Sequence, residues 1–113
     1  MYDDEVTLCG ASAYEQKYYF NEDFVALPQE IKDELKVMCV LYVEDVGGVL
    51  TVLFGKDGGL GFRVESNEDD FAFDDIGSAL KIKEIQRTKR ELLESLETYY
   101  KVFFEGDCGS SPQ

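Results

Sequence analysis

The chain has 113 residues, 44% of them hydrophobic and 13% aromatic, and it carries a net charge of −13 at pH 7. That length fits one domain with a core large enough to stand without disulfide or metal staples, and the hydrophobic content excludes a wholly disordered chain. So acidic a surface repels nucleic-acid phosphates and anionic lipid headgroups alike, which leaves neither a nucleic acid nor a membrane as an expected partner.

Residues 1–13 open on Asp3, Asp4 and Glu5 and pass through Val6-Thr7-Leu8-Cys9 to Gly10. A short extended segment or a loosely held arm fits equally well. An acidic start is the opposite of a signal peptide's basic lead, and no apolar run approaches a membrane span, so the expected location is cytoplasmic. From Tyr14 to Phe20 the aromatic sequence alternates, with Tyr14, Gln16, Tyr18 and Phe20 on one side, and predicts a strand. Asn21, Glu22 and Asp23 supply turn and cap chemistry before Phe24.

Pro28 suits the first turn of a helix, where its missing N–H has no partner to lose. Ile31, Leu35, Met38, Tyr42 and Val46 then recur at i, i+4, i+7, i+11 and i+15, which predicts a helix over 28–46 that Gly47-Gly48 would end. The rival keeps 28–36 helical and makes Val37–Val46 a strand; the continuous helix is preferred. Residues 49–54 (VLTVLF) and 60–65 (LGFRVE), joined through Asp57-Gly58-Gly59, form the clearest hairpin.

Residues 66–78 follow, with Glu68, Asp69, Asp70, Asp74 and Asp75 around Phe71 and Phe73. Asp74 or Asp75 is a natural N-cap. Beyond it the spacing predicts one amphipathic helix over 75–104, about 45 Å long. Its stripe runs through Ile76, Leu80, Ile85, Leu92, Leu96, Tyr99 and Phe103, widened by Leu93, Tyr100 and Val102. Gly106 is the expected stop, and residues 107–113 form a polar tail expected to be disordered.

The predicted fold class is α+β, in the order β-α-β-β-α. Hairpin 49–65 and strand 14–20 make a small antiparallel sheet, and helices 28–46 and 75–104 pack on one of its faces within a single domain, 1–106.

Little in this chain points to catalysis. No histidine is present, so Ser-His, Cys-His and histidine–metal mechanisms are excluded. A two-carboxylate glycosidase needs a cleft that so small a domain has little material to build. The glycines at 55, 58, 59 and 61 match neither GxxxxGK[ST] nor GxGxxG and belong to the hairpin. Cys9, Cys39 and Cys108 are too few for a four-cysteine zinc site and read as buried or incidental thiols. The carboxylates between Glu68 and Asp75 lack the EF-hand order and read as a solvated loop that caps a helix. The expectation is a non-enzymatic protein with no cofactor or metal.

The most unusual local feature is the run Lys81, Lys83, Arg87, Lys89 and Arg90, five of the eleven basic residues of the chain. On an unbroken helix Lys83, Arg87 and Arg90 share one face. The basic run either pairs with Glu84, Glu91 and Glu94 along the helix and with acids elsewhere, or forms a docking stripe for an acidic surface, the obvious one being the loop of a second copy around Asp69 and Asp70. The aromatic end, Tyr99, Tyr100, Phe103 and Phe104, is too apolar to stand in water. A helix longer than its domain, ending in that patch, suggests a symmetric homodimer.

Read in order, AYEQKYYFNEDF (13–24), VGGVLTVLFGKDGG (46–59), DDFAFDDIGSALKIKEIQ (69–86) and ELLESLETYYKVFF (91–104) resemble a family of small acidic bacterial proteins classed as a domain of unknown function. The resemblance covers about residues 8–106 and implies a cytoplasmic bacterial origin without assigning an activity or any catalytic residue. Two functions remain: an interaction module, homodimeric, acting through the aromatic helix end or the acidic loop; or an acidic chaperone or inhibitor that masks a basic partner, DNA mimicry included.

Overall fold

The computed structural model describes residues 5–102. Its elements are β1 (Val6–Ser12), β2 (Lys17–Phe20), a 3₁₀ turn (Glu22–Phe24), α1 (Gln29–Val46), β3 (Val49–Phe54), β4 (Leu60–Glu65), α2 (Asp75–Thr88) and α3 (Arg90–Tyr100). The four strands form one antiparallel sheet in the order β2-β1-β3-β4. The α+β class holds, with three helices, of which α1 and α3 pack on the sheet and α2 packs on those two.

A central strand is thus added at the N-terminal end. β1 lies between β2 and β3, and a register shift between Thr7 and Cys9 marks a bulge at Leu8. Leu8 and Cys9, consecutive in sequence, are both buried, so the alternation that signals a strand is lost. Gly10 is also required there: a Cβ on it would stand 2.7 Å from the Leu50 carbonyl oxygen of β3. The predicted strand 14–20 is correspondingly shorter. Residues 13–16 are the turn from β1 into β2, with Gln16 at φ 54° and the Ser12 hydroxyl accepting from the Glu15 amide at 3.2 Å. Only Lys17–Phe20 pair.

α1 is continuous from Gln29, just after Pro28, to Val46, which decides against a strand over 37–46. Leu35, Met38, Cys39, Tyr42, Val43 and Val46 are buried at helical spacing, while Val37 and Leu41 are 55% exposed. Gly47 closes the helix at φ 84°, its amide donating to the Val43 carbonyl. β3 and β4 form the predicted hairpin, turned with Gly58 at φ 83°.

One face of the sheet carries the core. Cys9 lies opposite Val52 and contacts Cys39 of α1, while Phe54, two residues beyond Val52 on the same side, stacks on Tyr100 of α3. α1 and α3 therefore cover the same face. Phe24, Phe54 and Tyr100 form the aromatic centre, with ring centroids 4.2 Å apart for Phe54–Tyr100 and 5.7 Å for Phe24–Phe54.

The single helix expected over 75–104 is two helices. The backbone leaves helical geometry at Lys89 (φ −109°, ψ 23°). At 1.5 Å per residue, α2 runs about 21 Å and α3 about 17 Å, neither outreaching the domain. No proline or glycine causes the break. The Thr88 hydroxyl donates to the Glu84 carbonyl at 2.8 Å, a back-bond that bends helices, and Lys89 Nζ reaches Glu34 Oε2 of α1 at 2.9 Å. Bending at this point lets α3 wrap onto the edge of the sheet. Residues 103 and 104, Gly106 and the tail lie outside the described residues.

Candidate protein-docking face

α2 begins where the acidic loop ends. Asp74 is the N-cap, its Oδ1 accepting from the Gly77 amide at 2.8 Å, and Asp75 adds a second carboxylate to the first turn. Asp74→Ala should therefore destabilise the protein by about 1 kcal/mol, read as a lower urea midpoint at unchanged slope. Ser78 and Ile85 turn inward, with the Ser78 and Tyr42 hydroxyls hydrogen-bonded to each other and burial pushing the Tyr42 phenol pKa upward.

Opposite that inward side, positions 76, 80, 83 and 87 fall at i, i+4, i+7 and i+11 and make one outward face. Ile76 is 76% and Leu80 61% exposed. Lys83 and Arg87 complete the face, both exposed. The basic run divides accordingly. Lys81 turns toward α1 and pairs with Asp45 at 3.4 Å and Glu84 at 3.8 Å, and Lys89 is tied to Glu34. Lys83, Arg87 and Arg90 form no ion pair among the described residues, so the expected pairing along the helix is confined to Lys81. Arg90 lies past the break, in α3. It lines a cleft with Arg87, Lys89, Ile31 and Leu92 where α1 meets the break.

The acidic loop is pinned from the sheet. The Tyr14 hydroxyl donates to Asp70 Oδ2 at 2.5 Å and accepts from the Asn67 amide at 3.0 Å, and the bond to Asp70 raises the Tyr14 pKa. Asp70 also accepts from the Ala72 amide at 3.1 Å. Asp70 thus has a structural role, while Glu68 and Asp69 are exposed and Phe71 is 94% exposed. Among the described residues no group of three or more His, Cys, Asp or Glu is placed to hold a metal ion.

The aromatic end behaves differently from expectation. Tyr100 is buried in the chain's own core and Tyr99 packs half-buried beside it, so their apolar surface is covered without a partner. Phe103 and Phe104 lie outside the described residues. The missed signal is the phase of Ile76 and Leu80: at 100° per residue both sit on the side of the helix away from Ile85, Leu92 and Leu96, not on the same stripe.

A second cluster is interior. Cys9 and Cys39 are buried free thiols with sulfurs 3.8 Å apart, and the Tyr18 hydroxyl is buried without a hydrogen-bond partner. The contact with Cys9, then burial, pushes the Cys39 thiol pKa up, while burial and the neighbouring thiol do the same to Tyr18. Both groups stay protonated, which suits packing and not nucleophilic chemistry. Cys108 lies outside the described residues.

No helix among the described residues is long and apolar enough to cross a membrane. No curated protein and no solved structure matches the chain. A family model described as a family of unknown function, DUF6145, matches residues 5–108, nearly the whole chain, and covers every element of the fold. The chain belongs to this family.

Proposed function

We propose that the chain is a non-enzymatic protein-interaction module whose docking element is the outward face of α2. The observation that carries this reading is the union of two exposed aliphatic side chains, Ile76 and Leu80, with two exposed cations that form no ion pair among the described residues, Lys83 and Arg87, on one helix. Exposed apolar side chains beside aligned charge favour a complementary protein surface: the aliphatics supply burial, the cations orientation. The absence of histidine from the sequence supports binding over catalysis. A place in the bacterial cytoplasm belongs to the same proposal and rests on the family resemblance.

An acidic chaperone or inhibitor masking a basic partner is the second reading. It is favoured by the net charge of −13 and by the exposed Glu68 and Asp69. That reading leaves Ile76 and Leu80 without a role, so the docking face is preferred.

The test is affinity capture from the native cell extract with the full chain and with Ile76→Glu/Leu80→Glu as parallel baits. Both side chains are exposed, so the circular dichroism of the variant should match the parent. A partner retained by the parent should be depleted at least tenfold by the variant, and it should survive about 0.5 M salt, where exposed charge pairs are screened. Equal retention by both baits would refute the docking face; loss in salt alone would favour the acidic reading.

A further inference from the structure

Resting on the docking reading, we infer that the occupant of the α2 face is a second copy of this chain, lying antiparallel about a two-fold axis that crosses α2 at the level of Ser78. Such an axis sets Ile76 against the partner's Leu80 and Leu80 against the partner's Ile76. It also brings Lys83 toward the partner's Asp74 and turns Arg87 toward the partner's acidic loop, which carries Glu68 and Asp69. Along the helix Lys83 lies about 7.5 Å and Arg87 about 13.5 Å from the axis level, at 1.5 Å per residue. Asp74 and Asp75 stand at the N-terminal end of α2, on the other side of that level, and the loop carrying the exposed Glu68 and Asp69 leads into that end. Apolar meets apolar and cation meets carboxylate, twice over, as an isologous contact requires.

Other registers do worse. With the axis three or four residues further along, each aliphatic side chain meets a cation and the carboxylates are unmatched. A parallel pair sets Lys83 against the partner's Lys83 and Arg87 against the partner's Arg87, a like-charge contact that is selected against. Charge narrows the choice further. Two chains of net charge −13 repel as wholes, so a copy must be drawn to a cationic surface, and the densest group of exposed cations free of ion pairs among the described residues is Lys83, Arg87 and Arg90. Two aliphatic side chains per copy give a small interface, below the roughly 1,600 Å² of a stable complex, so the association is weak and depends on concentration.

The experiment is sedimentation of the full chain between about 1 μM and about 1 mM, a range that brackets weak association. The mass should rise from one copy toward two. Two charge variants set the register: Lys83→Glu/Arg87→Glu, acidic on both the helix and the loop, and Glu68→Lys/Asp69→Lys, basic on both. All four side chains are exposed and leave the fold intact. Each variant alone should associate at least tenfold more weakly than the parent. Mixed in equal amounts, they should pair again as a heterodimer, because each then meets an opposite charge at both ends. A parent chain that keeps the mass of one copy throughout would overturn the inference, as would variants that do not recover on mixing. If the parent is a single copy and Ile76→Glu/Leu80→Glu still loses a partner from extract, the second copy is wrong and the docking face stands.

Discussion

Tyr100→Ala is expected to cost about 3 to 5 kcal/mol of folding stability, the range for removing a buried aromatic side chain. Tyr100 is 6% exposed and lies nearly parallel to Phe54, at an interplanar angle of 8°, with Phe24 6.5 Å away on centroids. Truncation would open a void between α3 and the sheet while leaving the stacked faces of two phenylalanines unsupported. Tyr100→Phe keeps the ring and should retain most of the stability. The urea midpoint checks both, at a protein concentration low enough to hold single copies. Had this tyrosine served at an interface instead, the alanine variant would unfold at the parent's midpoint and fail only to associate.

Gly48→Ala is the second large effect, at about 3 kcal/mol or more. The residue has φ 75°, a conformation that costs an L-residue about 1–2 kcal/mol. A Cβ there would also stand 2.6 Å from the Glu65 carbonyl oxygen and 2.7 Å from the Phe73 ring. The carbonyl belongs to β4 and cannot yield without disturbing the hairpin, so Phe73 must move and with it the loop leading into α2. Gly61→Ala is the control. Nothing lies within 4 Å of its added Cβ and its φ is unstrained, so that variant should be neutral or up to about 1 kcal/mol more stable. Thermal unfolding of the two variants beside the parent checks the contrast.

The parts of the fold that were legible in sequence are those whose local signals agree. Hairpin 49–65 has alternation, a glycine turn and strand-forming residues all pointing one way, and α1 has five apolar positions in phase behind Pro28. The cap is legible as one of two carboxylates, Asp74 or Asp75, and the structure shows it to be Asp74. β1 was obscured because its bulge buries Leu8 and Cys9 together, erasing the period that marks a strand, and because its pairing with β3 is long-range. The break at Lys89 coincides with a local back-bond from Thr88 and a tertiary contact to Glu34, and neither a proline nor a glycine marks it in the sequence.

The candidate site was legible in part. Lys83 and Arg87 stand out by charge and share a face of α2, while Arg90 lies past the break and lines a cleft with Arg87 beside α1. The phase of Ile76 and Leu80 opposes the inner stripe of Ile85, Leu92 and Leu96, and an unbroken apolar pattern over 75–104 hides that half of the face. For Tyr99 and Tyr100 the reason is physical: an aromatic pair at a helix end looks the same in sequence whether it is covered by its own sheet or by another molecule.

The placement of β1 bears on how the molecule assembles. The sheet consists of two hairpins, β1–β2 and β3–β4, zipped along the seam where Ser12 meets Val49 and Val6 meets Phe54. An isolated two-stranded hairpin is marginal in water at best, so neither half persists until the seam closes across the whole length of α1. That closure is the entropically slow event, and once made it ties the stability of each half to the other, so the sheet is gained and lost as one cooperative unit.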